Sequence, residues 1–93
     1  MESELKQAIQ LQKSGRLEEA IQAMDRAIAK NPSHAHARYF QGMMLGAAGR
    51  YRDALPQLER AVQLEPRSVE FRSSMANVLK RLERYDEAIE ALD

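Results

Sequence analysis

Apolar and small residues recur along the chain in one spacing, with Ala20, Ile21, Met24, Ala27 and Ile28 answered by Ala54, Leu55, Leu58, Ala61 and Val62. Offsets of i, i+1, i+4, i+7 and i+8 draw a single stripe down an α-helix, with the intervening polar residues on the opposite side. The pattern predicts three first helices over about 2–14, 35–48 and 69–82, and three second helices over about 18–30, 52–64 and 86–93. Gly15 and Gly49 stand where a left-handed residue would end a first helix. Glu83 holds that place in the third pair, so its turn is expected to be less favourable or differently shaped. Pro32 and Pro66 stop the second helices, because proline has no amide donor to continue the ladder. Ser68 is placed to cap the helix that follows. Pro56 is expected in the first turn of its helix, where amides have no intrahelical partner.

The helices are organised as a repeat of 34 residues. Leu11, Leu45 and Leu79 form one series and Ala20, Ala54 and Ala88 another; Ala8, Gly42 and Ala76 keep a small position, and Met24, Leu58 and Leu92 an apolar one. Residues 1–34 and 35–68 share eight identities in this register. Unrelated segments would share about two, at roughly 6% per position. A single domain over 1–93 follows, with repeat one at 1–34, repeat two at 35–68 and a partial repeat three at 69–93. Small residues where helices cross let axes approach to about 8–10 Å, and stacking buries stripes that each unit alone would expose.

These positions resemble the tetratricopeptide repeat family, whose unit has small residues at positions 8, 20 and 27, bulky apolar ones at 11 and 24, and proline at 32. The resemblance starts in phase at Met1 and covers the whole chain. It departs at position 4, where Glu4, Arg38 and Arg72 replace the family's tryptophan, and at position 7, where Gln7 and Gln41 replace leucine and Met75 alone is apolar. The resemblance implies an all-α, right-handed α-solenoid of antiparallel helix pairs whose concave face, lined by first helices, binds a peptide segment or helix of another protein. Carried over residue by residue, the family's ligand positions fall in unit one on Glu2, Leu5, Ile9, Gln12 and Lys13. In unit two they fall on His36, Tyr39, Met43, Gly46 and Ala47, and in unit three on Glu70, Ser73, Asn77, Lys80 and Arg81. Pointing inward, Leu5, Ile9, Tyr39 and Met43 would form an adaptable apolar strip, with Asn77, Lys80 and Arg81 as a polar, cationic end for a backbone amide or carboxylate. Leu5, Ile9 and Met43 also fit a purely structural place in the core, and both readings stand at this point. Some family members hold the terminal carboxylates of heat-shock chaperones with lysine and asparagine on the first inner helix and lysine and arginine on the third; here Leu5 and Ile9 stand at the first pair and Glu70 and Ser74 at the second, so ligands of that type are not expected.

Composition narrows the remaining chemistry. The 93 residues contain no cysteine, which excludes a disulfide framework and a cysteine nucleophile and suits the cytoplasm. Fourteen basic residues balance 14 acidic ones, so no clustered positive field for nucleic acid is expected. The polar N-terminus and the lack of a long apolar run predict neither export nor membrane insertion. No nucleophile with its base and no phosphate loop is present, and His34 and His36 diverge at a helix start with no third ligand nearby, so no catalytic residue, cofactor or metal is expected.

Arg16, Arg50 and Arg84 recur beside the turns and are expected to complement helix C-termini and pair with Glu19, Asp53 and Glu87. Unit two carries 5 basic and 3 acidic residues and unit three 4 and 6, a mild bias toward head-to-tail contact of copies. Ala88, Ile89 and Leu92 lie just inside the end at Asp93 with no solvating helix after them. They predict a fragment of a longer array, or self-association through the uncapped C-terminal helix. The leading expectation is a non-catalytic interaction scaffold. The alternatives are the recognition arm of a larger enzyme such as a glycosyl-, sulfo- or methyltransferase, which the family's architectures allow, and a self-assembly element.

Overall fold

A computed structural model describes residues 2–93, with side chains from residue 4 onward. The described residues form α1 (Glu2–Lys13), α2 (Leu17–Lys30), α3 (Ala35–Ala47), α4 (Tyr51–Leu64), α5 (Val69–Arg81) and α6 (Tyr85–Leu92). Each lies within three residues of its expected span, and no strand occurs among them. The principal contacts run α1 to α2, α2 to α3 and onward to α6, and α3 also touches α5, which is not its neighbour along the chain. The result is an α-solenoid of antiparallel helix pairs, 37 × 24 × 17 Å.

The three turns inside the pairs share one geometry. Arg16, Arg50 and Arg84 each donate their backbone amide five residues back, to the carbonyls of Leu11, Leu45 and Leu79 at 2.9, 2.8 and 2.8 Å. This closure requires a left-handed residue before each arginine. Gly15 and Gly49 take it at φ 78° and 77°, and Glu83 takes it at φ 60°. The third turn therefore keeps the common shape and bears strain instead, because a Cβ in the left-handed region crowds the carbonyl. Each arginine side chain folds back onto its acid: Arg16 on Glu19 and Arg84 on Glu87 through two bonds each, and Arg50 on Asp53 at 3.2 Å.

Between pairs, the Ser68 hydroxyl accepts a hydrogen bond from the Phe71 amide at 3.1 Å, the cap that the sequence leads one to expect. His34 does the same for α3, its Nδ1 accepting from the Ala37 amide at 3.1 Å, a capping role that sequence reading assigns only to a solvated turn. Pro56 requires a correction: α4 starts at Tyr51, which puts the ring at the sixth helical position, inside the helix rather than in its first turn. The Arg52 carbonyl thereby loses its regular donor, and α4 tolerates this because Pro56 lies on the exposed side.

Phe71, Met24, Met44 and Leu58 are the largest fully buried side chains. Gly42 shows why one small position is glycine. A Cβ there would stand 2.6 Å from Leu58 Cγ, inside any permissible contact. Gln41, at the position where the family has leucine, is buried and donates to the Ile21 carbonyl at 3.2 Å and to the Asp25 carboxylate. It satisfies its amide by tying α3 to α2, as a buried polar group must.

Candidate functional site

First helices α3 and α5 lie side by side on one face of the stack, in contact near their N-terminal ends through aromatic rings and separated toward their C-terminal ends by an open cleft. The cleft has a volume of about 410 Å³ and is lined by Gly42, Met43, Gly46, Ala47 and Tyr51 on one side and Ser74, Asn77, Val78 and Arg81 on the other. Its floor is open because unit two places glycine and alanine where longer side chains would fill it. Met43 is 43% exposed, an apolar and flexible side chain presented to solvent. Arg81 lies with its guanidinium carbon 5.8 Å from the centre of the Tyr51 ring, a cation resting over an aromatic face. At this opening an apolar floor meets a rim of hydroxyl, amide and guanidinium groups, which suits an extended chain carrying one apolar side chain and an acidic or carbonyl group beside it.

Of the residues that the resemblance places on the inner face, Met43, Gly46, Ala47, Asn77 and Arg81 come together here. Asn77 and Lys80 border a second depression of about 310 Å³ that continues toward α6, lined also by Ser73, Tyr85, Ile89 and Leu92. Leu5 and Ile9 are half-buried and pack against the core from α1. Lys13 is exposed in the last turn of α1, away from both openings. The Glu2 side chain and Met1 lie outside the described residues. Tyr39 is buried, its ring stacked on Phe71, and His36 is exposed with its ring edge-on to Phe71 at 5.2 Å and its Nδ1 3.9 Å from a Glu65 carboxylate oxygen. The four apolar residues of the expected strip therefore do not share one opening. Only Met43 lines it, and the cleft is displaced toward unit three. Tyr51, Ser74 and Val78 were not among the inner-face positions carried over from the family. Tyr51 comes from a second helix, and the signal that could have found it is its apolar place at the head of α4, one turn beyond Ala47.

Two-helix units stacked at a period of 34 residues, with a cleft between successive first helices, define a tetratricopeptide repeat array. The particular family is also defined: the chain belongs to that of the anaphase-promoting complex, cyclosome, subunit 3, whose model matches residues 5–93. No curated protein matches at the level of sequence. Among solved structures, the crystal structure of MamA superposes with a TM-score of 0.93 at 23% identity, covering 98% of this chain and 53% of MamA. The second tetratricopeptide domain of Spaghetti (RPAP3), solved bound to the HSP90 peptide SRMEEVD, superposes with a TM-score of 0.91 at 21% identity, covering 96% of this chain and 82% of that one. The chain thus spans about half the length of MamA. At these identities the likeness is one of fold.

Proposed function

We propose that the protein is a non-catalytic scaffold that binds an extended peptide segment of a partner protein in the cleft between α3 and α5. The observation that carries this reading is the cleft's division into an apolar floor at Met43, Gly46 and Ala47 and a polar rim at Ser74, Asn77 and Arg81. A preformed groove binds a flexible segment without the cost of ordering itself, so a modest contact area suffices. Asn77 pairs with a peptide amide, Arg81 with a carboxylate or carbonyl, and Met43 adapts to the apolar side chain between them. The relative bound to an HSP90 peptide supports a peptide as the class of ligand, while Leu5, Ile9 and Glu70 in this chain argue for a different sequence. No described helix is long and apolar enough to cross a membrane. The balanced charge favours a protein partner over nucleic acid, and a sequence without cysteine suits the cytoplasm.

The test is selection from a displayed library of random decapeptides, followed by titration of the selected peptides against Met43→Glu and Arg81→Glu. Both residues are exposed, so the fold survives substitution. Each variant is expected to weaken binding about tenfold or more, which corresponds to about 1.4 kcal/mol. Selected peptides that bind both variants unchanged would remove the cleft from the reading.

A further inference from the structure

The C-terminal face of α6 repeats positions that are buried everywhere else in the stack. Ile89 is 62% exposed where its equivalents Ile21 and Leu55 are 5% and 6% exposed, and Leu92 is 58% exposed where Met24 and Leu58 are fully buried. In the two interior junctions the cover is the first helix of the following unit, α3 over α2 and α5 over α4. The register identifies which helix fits the third face.

At the first junction, two polar contacts fix α3 on α2. Gln41 reaches the Ile21 carbonyl and the Asp25 carboxylate, and Arg50 reaches Glu18 at 3.4 Å while keeping its bond to Asp53. Advancing the α2 positions by two periods gives Ile89 for Ile21, Asp93 for Asp25 and Asp86 for Glu18. Moving the α3 positions back by one period gives Gln7 for Gln41 and Arg16 for Arg50. All four positions that make side-chain contacts thus keep their chemistry: a glutamine over a carbonyl and a carboxylate, and an arginine opposite an acid. The second junction does not have this code, because Met75 holds the glutamine's place and Arg52 faces Arg84 where an acid would face an arginine. The match between the last second helix and the first first helix is therefore specific and not a general consequence of the repeat. Gln7 and Gln10 are exposed on α1, while their counterparts Gln41 and Met44 are buried, Gln41 against α2.

We propose that α1 of a second copy of this chain docks on α6, continuing the solenoid head to tail, with Gln7 over the Ile89 carbonyl and Asp93 and with Arg16 bridging to Asp86. The docking helix fills the depression beside Tyr85, Ile89 and Leu92. Gln10 stands where Met44 and Val78 are buried, so the seam is more polar than an interior junction and the association is reversible and concentration-dependent. Such a contact is heterologous and leaves a free head and a free tail on every dimer, so it propagates into chains.

Sedimentation of the 10.6 kDa chain tests this. The weight-average mass is expected to rise by half or more between roughly 10 µM and roughly 1 mM, as for a small, wet interface. A head variant, Gln7→Glu with Gln10→Glu, sets carboxylates against Asp93; a tail variant, Ile89→Lys, places a charge in the apolar face. All three positions are exposed, so circular dichroism should stay helical in both. Each variant alone is expected to remain a monomer, and their mixture to form a dimer that grows no further, because one intact tail meets one intact head. Wild-type protein that stays monomeric would overturn the proposal. So would a head variant that still associates, which would mean α6 pairing with α6, or a mixture that gives no dimer, which would assign the face to a different occupant.

Discussion

Tyr39 stacks on Phe71 with ring centroids 4.7 Å apart and planes inclined by 25°, and this contact joins α3 to α5, two helices that are not neighbours along the chain. The residue that the resemblance puts on the groove face is thus also a strut of the groove wall. Tyr39→Ala is expected to lower unfolding free energy by about 3 kcal/mol, as for a buried aromatic truncated to alanine. Urea denaturation measures this directly. A loss below about 1 kcal/mol would mean that the ring is not part of the packed core.

Gly42→Ala sets two effects against each other. Alanine gains about 1 kcal/mol in a helix interior, while forcing a methyl into a filled core costs about 1–3 kcal/mol. Leu58 is branched and fully buried, so it cannot withdraw, and a net loss of about 1–2 kcal/mol is expected. Repeat one holds Ala8 and Met24 at the same two positions. The double variant Gly42→Ala with Leu58→Met installs that pair in repeat two and should recover most of the loss in thermal melts.

Glu83→Gly is expected to stabilise the chain. A non-glycine residue in the left-handed region costs about 1–2 kcal/mol, of which the greater freedom of glycine in the unfolded chain returns about 0.4–1 kcal/mol. The net gain of about 0.5–1 kcal/mol should appear as a higher urea midpoint at an unchanged slope. Gly15→Ala, made at the equivalent turn, should shift the midpoint the other way.

Acid should weaken the fold through specific carboxylates. The hydrogen bond from the Lys30 ammonium, above all, holds the Glu4 carboxyl down at about 2, and the Arg84 guanidinium draws Glu87 below the usual range in the same way. A carboxyl with a depressed folded pKa contributes stability that is present above its unfolded value of 4.5 and is lost as pH falls toward about 2. Lys30→Met is therefore expected to reduce the fall in melting temperature between those limits. An identical decline in both proteins would show that the Lys30–Glu4 bond contributes nothing.

The helix spans were legible because stripe, glycine and proline all point to the same boundaries, and Ser68 was legible as a cap because serine has few other uses before a helix. The cap and the proline that escaped depend on detail that the stripe does not carry: histidine is a rare cap, and Pro56 lies past the four unpartnered amides of the helix start whether α4 begins at 52 or, as it does, at Tyr51. The site was less legible for a related reason. Periodicity places Leu5, Ile9, Tyr39 and Met43 on one helical face, but that face is wide enough to meet both the core and the solvent. Which side chain reaches the opening depends on what stands opposite. Phe71 covers Tyr39, whereas Gly46 and Ala47 leave Met43 open.

Because the principal contacts among the described residues join helices that are neighbours along the chain or one pair apart, no extensive seam ties α1 to α6. Length is therefore a free variable of the architecture. A whole unit can be added or removed without rebuilding a shared interior, and a change at one end is felt only a helix or two away. Such a molecule behaves as a graduated rod, on which a ligand-reading stretch can be moved along by inserting a module and leaving every other joint as it was.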